Sequence, residues 1–176
     1  VLERLRSAPK TIRALVLRQE IDAAEIVKAA KAAGITFQSK NKEEFSRLSP
    51  DAHTQGILAE VEDFQYAAIE DLLRQPEPRP TLILLDRVTD PQNLGAILRT
   101  LACFGGFAVV IPKHDSAEIT ETVLRVACVG ENYVPVARVT NLVQTSETAK
   151  KAGYWVAGAS AEGGGPERGL EVDEAR

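Results

Sequence analysis

Short apolar runs alternate with amphipathic segments along the second half of the chain. Residues 81–86, TLILLD, form a continuous apolar run that ends in an acid, which is typical of a buried parallel strand. Three further β-rich runs follow at 107–112, 133–139 and 154–160. The intervals between them carry helical periodicity, so the pattern predicts an open parallel sheet of four strands. In such a sheet, ligands bind beyond the carboxyl ends of the strands.

The first 75 residues show a less regular alternation. Strands are predicted for TIRALVL, ITFQS and ILAEV, which are β-rich runs between helical segments. Asp22 and Asn41 can each cap a helix start, and a last helix is expected from Asp63 to Leu73. The alternation predicts a small N-terminal α/β domain.

A proline-rich stretch separates the two parts. Three prolines lie within residues 76–80, and such a run favours stiff, extended chain over helix. We therefore predict a first domain over 1–75, a linker over 76–80 and a second domain over 81–176.

The helix predicted from Asp90 to Phe104 has two unequal faces. At about 100° per residue, its large apolar residues fall within one arc of roughly 120°, which predicts a core stripe. The stripe consists of Leu94, Ile97, Leu98, Leu101 and Phe104. The opposite face carries small and polar residues around Arg99, namely Gln92, Gly95, Ala96 and Cys103. Such a face lets another surface approach closely, and docking against a subunit or a phosphate backbone would use it.

The start of this helix is chemically specific. Asp90 is a good N-cap and Pro91 suits the first helical position, a pairing that by itself is a common helix-start signal. Asn93 is harder to explain as local structure, because its amide offers donors and acceptors at a strand end where a site is expected. Asn93 is therefore a candidate site residue.

Composition narrows the class of protein. Apolar residues make up 44% and charged residues 26% of the 176, as in a soluble globular protein. No apolar run approaches the roughly 20 residues of a membrane span, and the charged N-terminal stretch does not resemble a signal peptide. Cys103 and Cys128 lie in apolar, helix-like patterns, which predicts reduced core cysteines in a cytoplasmic protein.

Charge is unevenly distributed although the net charge is only −4. Residues 1–50 hold ten Lys or Arg against six Asp or Glu, so a basic face on the first domain is possible. Basic and polar residues cluster near one strand end and its loops: Lys40, Lys42, Arg47, His53 and Gln55. They could hold a nucleic acid through phosphate contacts. Plain surface charge and, for His53, a loop-capping role are equally compatible with the pattern.

Four stretches carry a resemblance to a known family. Residues 85–105, LDRVTDPQNLGAILRTLACFG, closely resemble the first motif of the SpoU family of RNA ribose 2′-O-methyltransferases. VVIPKHDSAEITETVLRVAC and VPVARVTNL are similar to the family's next strand–helix–strand. AHTQGILAEV, at 52–61, resembles the end of the family's N-terminal substrate-binding domain.

The resemblance implies a fold, a cofactor and an assembly. The expected fold is a SPOUT parallel sheet whose C-terminal part forms a trefoil knot around an S-adenosylmethionine pocket, in a homodimer joined through the C-terminal domain. The implied reaction is methylation of a ribose 2′-hydroxyl in RNA, with large-subunit ribosomal RNA favoured by the separate N-terminal domain.

The resemblance also assigns roles to residues. Asn93 and Arg99 take the positions of the motif-one Asn and Arg, while Asp86, Asp90, Pro91 and Gly95 fill structural positions. A guanidinium stays protonated in proteins, so we expect Arg99 to clamp the target phosphate or stabilise the developing alkoxide, and Asn93 to orient it or the ribose. The loop at Gly158, Ala159 and Ser160 is where the resemblance implies that the cofactor lies.

Two features depart from the family pattern. The second and third family motifs are absent up to Arg176, so we expect the methyltransferase domain to be incomplete here and the complete chain to be needed for activity. In addition, ACVGENYVP stands where the family more often has a small Gly/Ala run followed by Glu, and Val129 and Asn132 put any local role of that turn in question.

Several alternatives stay open at this stage. A non-catalytic RNA-binding protein of the same fold, or a methyltransferase acting on transfer RNA, would carry the same motifs. A flavodoxin-like small-molecule module fits the strand–helix pattern but leaves Asn93, Arg99 and the first domain unexplained. Metal, serine-triad and P-loop chemistry have no support, because His53 and His114 are the only histidines and no phosphate-cradling loop is present.

Overall fold

A computed structural model describes residues 1–48, 54–76, 78–159 and the backbone of 171–173. The chain divides into two compact units, Val1–Gln65 and Tyr66–Arg176. This division lies before the proline-rich stretch because the segment after Gln65 joins the second unit. There the Ala67 amide donates to the carbonyl of Val136 at 2.8 Å, and Ala67 forms a parallel bridge with Ala137.

The first unit is built on a three-stranded mixed sheet of order β2-β1-β3. Strands β1 (Ile12–Arg18) and β2 (Phe37–Lys40) are parallel, and β3 (Ile57–Val61) runs antiparallel to β1. The helices of this unit are α1 (Leu2–Ser7), α2 (Ala24–Ala32) and α3 (Lys42–Leu48). The alternation predicted from the sequence is therefore confirmed for this unit.

Helices α1 and α2 pack on one face of this sheet. Leu15 and Leu17 of β1 are buried together with Leu5 of α1 and Ala30 of α2. One of the two predicted caps forms. Helix α2 has Ala23 as its N-cap without a side-chain cap, and Asp22, the residue before it, accepts from the Ala24 amide through Oδ1 at 3.2 Å. At α3, Asn41 Oδ1 accepts from the Glu44 amide at 2.9 Å and the Glu44 carboxylate accepts from the Asn41 amide at 3.4 Å, which is a capping box.

The second unit contains a three-stranded parallel sheet of order β4-β5-β6. Its strands are β4 (Thr81–Leu84), β5 (Phe107–Pro112) and β6 (Val136–Val139). Its helices are α4 (Ile69–Leu73), α5 (Pro91–Phe104), α6 (Glu121–Ala127) and α7 (Leu142–Lys151). Helix α4 begins at Ile69, not at Asp63 as predicted.

The predicted fourth strand forms but joins a different sheet. Strand β7 (Val156–Gly158) pairs antiparallel with β8 (Glu171–Asp173) in the described part of the chain, not with β4, β5 or β6. The sequence pattern could not have predicted this pairing, because the run containing β8 is rich in glycine and acids.

Close packing of two helices fixes the core beside the sheet. Leu94 and Leu98 of α5 are fully buried, as is Val123 of α6. A Cβ built on Gly95 would lie 2.7 Å from Val126 Cβ and 2.9 Å from the Val123 carbonyl oxygen. The small-residue face of α5 is therefore seated on α6 of the same unit at Gly95, and that part of it is not a docking surface.

Two other predictions about apolar residues are wrong. Phe104, assigned to the core stripe, is 77% exposed at the last position of α5. The two cysteines are free as expected, but both are exposed and neither belongs to the core. Helical periodicity predicts on which face of the helix a residue lies. Whether other parts of the fold bury that residue depends on tertiary packing.

Candidate active-site crevice

The carboxyl ends of the strands in the second unit border a crevice of about 590 Å³. Loops after four different strands form its walls, which is the place where an open α/β sheet binds ligands. The polar and backbone groups from these loops are Asp86, Arg87, His114, Asp115, Asn141, Gly158 and Ala159.

Hydrogen bonds between neighbouring loops hold this wall. The Ala117 amide, after β5, donates to the Val88 carbonyl, after β4, at 2.8 Å. Arg138 of β6 donates to the Lys113 carbonyl at 3.1 Å and forms an ion pair with Glu118. It therefore contacts both ends of segment 113–118, which contains His114. The crevice is thus shaped by contacts between loops that the sequence does not reveal.

A smaller depression of about 440 Å³ lies at the start of α5. Asp90, Asn93 and Ala96 line it together with Arg87, which also borders the larger crevice. Asp90 Oδ1 accepts from the Gln92 amide at 2.8 Å and Pro91 occupies the first turn, so the predicted helix start is confirmed. Asn93 is exposed beside this cap, with its amide available to a ligand.

Arg99 lies elsewhere on the same helix. It is exposed and lines neither the crevice nor the depression. Six residues of α-helix separate its Cα from that of Asn93, which corresponds to about 120° around the axis and about 9 Å along it. Within one chain, the structure therefore does not bring the two motif residues together on one face.

The turn after α6 supports the backbone at Arg99. A Cβ built on Gly130 would lie 3.0 Å from Arg99 Cα and 3.0 Å from the Leu98 carbonyl oxygen, so glycine permits this contact. The turn reaches that position through two residues in the left-handed region, Cys128 (φ 51°) and Val129 (φ 74°). A β-branched residue rarely adopts this conformation, so Val129 marks a strained turn.

The predicted cofactor loop lies at the crevice. Gly158 and Ala159 are exposed on its wall, and Ser160 is outside the described residues. A Cβ on Gly158 would meet nothing within 4 Å, so the wall is open at this point. Sequence reasoning missed Arg87, His114 and Asn141, although their positions directly after strands were a usable signal.

The predicted RNA-binding residues belong to the first unit. Lys40 is half-buried at the end of β2, whereas Lys42 and Arg47 are exposed on α3. Gln55 is exposed next to Gly56, and His53 lies outside the described residues. Their role in RNA binding stays a prediction.

Arg18 is a neighbour of these residues that the sequence analysis did not select. It is the register partner of Lys40 across the parallel strands β1 and β2. Strand register is a tertiary property, which is why the spacing along the chain gave no signal for it.

The described residues contain no group of three or more His, Cys, Asp or Glu that could hold a metal ion. Nor does any helix in this part of the chain have the length and apolar character needed to cross a membrane.

Both units match models of known domains. Residues 80–174 match the SpoU rRNA Methylase family, and residues 1–67 match the domain described as RNA 2'-O ribose methyltransferase substrate binding. The chain belongs to the SpoU rRNA methylase family. The sequence-based family resemblance and the α/β fold class are thereby confirmed.

Individual relatives support this assignment. YacO of Bacillus subtilis, which its name places in the TrmH family of tRNA/rRNA methyltransferases, is 34% identical over 166 residues, covering 92% of this chain. This chain spans 66% of the length of YacO.

Solved structures share the fold. AviRb of Streptomyces viridochromogenes, a SpoU methyltransferase crystallised with AdoMet, has a TM-score of 0.66 and 16% identity over 87% of this chain and 58% of its own. An AdoMet-bound rRNA methyltransferase of Sinorhizobium meliloti has a TM-score of 0.64 and 21% identity over 85% of this chain and 57% of its own.

Proposed function

We propose that the complete protein transfers a methyl group from S-adenosylmethionine to a ribose 2′-hydroxyl of RNA, with large-subunit ribosomal RNA as the substrate. One observation supports the proposal: Arg87 lines both the depression at Asn93 and the crevice at Gly158 and Ala159. A motif-one residue and the expected cofactor loop thus border spaces that share a wall residue.

The crevice suits the cofactor chemically. S-adenosylmethionine supplies an electrophilic methyl group on a positively charged sulfonium, and it also carries an ammonium group. Asp86 and Asp115 contribute carboxylates to the wall, and the backbone of Gly158 and Ala159 offers hydrogen-bonding groups on its open side. The AdoMet complexes of AviRb and the S. meliloti enzyme are consistent with this choice of methyl donor.

The chain's own residues would act by orientation and electrostatics. A ribose hydroxyl is a weak nucleophile until its developing negative charge is stabilised. The Arg99 guanidinium can stabilise that charge or hold the adjoining phosphate, while Asn93 orients the ribose. Because Asn93 and Arg99 lie on different sides of α5, we include the homodimer in the proposal: a partner subunit can supply the second residue.

Substitution of Arg99 tests the proposal. Arg99→Ala in the complete protein should reduce 2′-O-methylation of ribosomal RNA by at least about 100-fold, the scale seen for loss of one transition-state donor. Arg125→Ala is the matched control, because Arg125 is also an exposed helix arginine but forms an i,i+4 pair with Glu121. Mapping 2′-O-methyl groups across ribosomal RNA, with and without the gene, identifies the nucleotide. Near-normal methylation by Arg99→Ala contradicts the role assigned to Arg99.

Two alternatives remain distinguishable by experiment. A transfer RNA substrate would show its 2′-O-methyl group in the same mapping applied to transfer RNA. A non-catalytic RNA-binding protein would bind RNA without binding S-adenosylmethionine, which calorimetry on the complete protein measures directly. The cytoplasmic location expected from the sequence belongs to the same proposal.

A further inference from the structure

The carboxyl edge of the first sheet brings together basic residues from separate parts of the chain. Arg18 and Lys40 are the last residues of β1 and β2 and are register partners. Registered residues of parallel strands project from the same face, and Leu15 and Leu17 occupy the opposite face with the core. Two basic residues are therefore neighbours on the sheet face opposite helices α1 and α2.

Backbone contacts make this edge a fixed structure. The Gln19 amide donates to the Lys40 carbonyl at 2.9 Å, and the Arg18 amide donates to the Gly56 carbonyl at 2.9 Å. Gly56 has φ 84°, and a Cβ there would lie 2.7 Å from Ile21 Cγ2 and 3.4 Å from Arg18 Cβ. Gly56 thus packs against Arg18 at this edge, and the preceding residue, Gln55, is exposed.

Among the described residues, a single ion pair involves these two basic residues, that of Arg18 with Glu20. Adjacent like charges on neighbouring strands disfavour the fold unless an anion lies near them. Glu20 Oε2 lies 3.3 Å from Arg18 Nε, yet that buried Nε makes no hydrogen bond among the described residues. The two side chains are 34% and 53% exposed, and such a pair contributes only about 0–1 kcal/mol. Glu44 is engaged in the capping box of α3.

We infer that Arg18 anchors an RNA phosphate at this edge, beside Lys40, and that Glu20 is the internal counter-ion that the phosphate displaces. A guanidinium has five N–H donors and can bind a phosphate through two of them at once. Such a contact is stronger than the partly exposed ion pair between Arg18 and Glu20. This inference rests on the proposed function, because it takes RNA as the substrate, and it names a residue that positions the RNA on the first unit.

The test compares three variants of the complete protein. Binding to protein-free ribosomal RNA is measured by filter retention over a series of KCl concentrations, with transfer RNA as a second probe. Arg18→Ala should weaken binding by about 5- to 10-fold and reduce the salt slope by about one. Glu20→Gln should strengthen RNA binding, because it removes the carboxylate that the phosphate has to displace. Arg13→Ala, an exposed arginine of the same strand, should leave both quantities unchanged.

The outcomes separate this inference from the proposed function. If the wild type methylates RNA and Arg18→Ala binds as tightly as the wild type, the inference alone is wrong. If the wild type neither binds nor methylates RNA, both fail together. Equal losses in Arg18→Ala and Arg13→Ala would mean diffuse charge and also overturn the inference. Should Arg18→Ala fold poorly by circular dichroism, Glu20→Gln still decides, because unchanged or weaker binding by that variant contradicts displacement.

Discussion

The two units hold their candidate residues in opposite ways. In the first unit, Arg18 and Lys40 are long side chains whose proximity follows from strand register. In the second, α5 is seated at Gly95 on α6 and at Gly130 on the following turn, with no room for a methyl group. A phosphate contact made by a long side chain would tolerate small backbone displacements, whereas a methyl transfer that depends on orientation would not. The difference predicts where substitutions should be most damaging.

The largest expected effect concerns the helix–helix contact of the second unit. Gly95→Ala should lower the free energy of unfolding of that unit by about 1–3 kcal/mol, because the added methyl meets Val126 and the Val123 carbonyl. Trp155 is the only tryptophan of the chain, so its fluorescence during urea unfolding reports on the second unit.

Two controls accompany this substitution. Gly158→Ala adds the same methyl where nothing lies within 4 Å and should leave the unfolding midpoint unchanged. Adding Val126→Ala to Gly95→Ala should recover part of the loss if the clash is the cause. An unchanged midpoint in Gly95→Ala would show that α5 and α6 are not closely packed.

A smaller effect is expected for the corresponding glycine of the first unit. Gly56→Ala combines a left-handed backbone with a contact to the Ile21 methyl, which should cost about 1–2 kcal/mol. Gly34→Ala isolates the backbone contribution, since its φ is 71° and its added methyl meets nothing. Hydrogen exchange of β1 amides measures both in the complete protein. Equal hydrogen-exchange protection of the β1 amides in the two variants would show that the contact with Ile21 does not contribute to the destabilisation by Gly56→Ala.

The smallest expected effect is a stabilisation, caused by replacing Val129 with glycine. Val129→Gly relieves a left-handed conformation that costs an L-residue about 1–2 kcal/mol, and this gain is reduced by the roughly 0.5–1 kcal/mol that glycine loses in chain entropy. A small rise in the unfolding midpoint, read from Trp155 fluorescence, is expected. Clear destabilisation would mean that the Val129 side chain contributes more through packing than the turn loses through strain.

Local signals in the sequence predicted the elements well. Asn41 and Asp90 cap helices as expected, because a cap depends on residues within one turn. The apolar run at β4 and the run at β5 form parallel strands because continuous hydrophobicity requires burial on both faces.

Properties that depend on a distant partner were not predictable. The small residues near Arg99 indicated close approach, but only the structure shows that Gly95 meets α6 and not another molecule. The pairing of Arg18 with Lys40 required the register of two strands. In the same way, the pairing of β7 with β8 joins segments that have no sequence signal for each other.

The bridge between Ala67 and Ala137 has a practical consequence for solubility. It lies beside β6, the outer strand of the parallel sheet in the described part of the chain, and covers part of an edge with apolar residues. Uncovered strand edges recruit other strands and cause aggregation. A second unit expressed from Arg79 onwards would expose this edge and should aggregate, whereas one expressed from Tyr66 keeps its own edge protection.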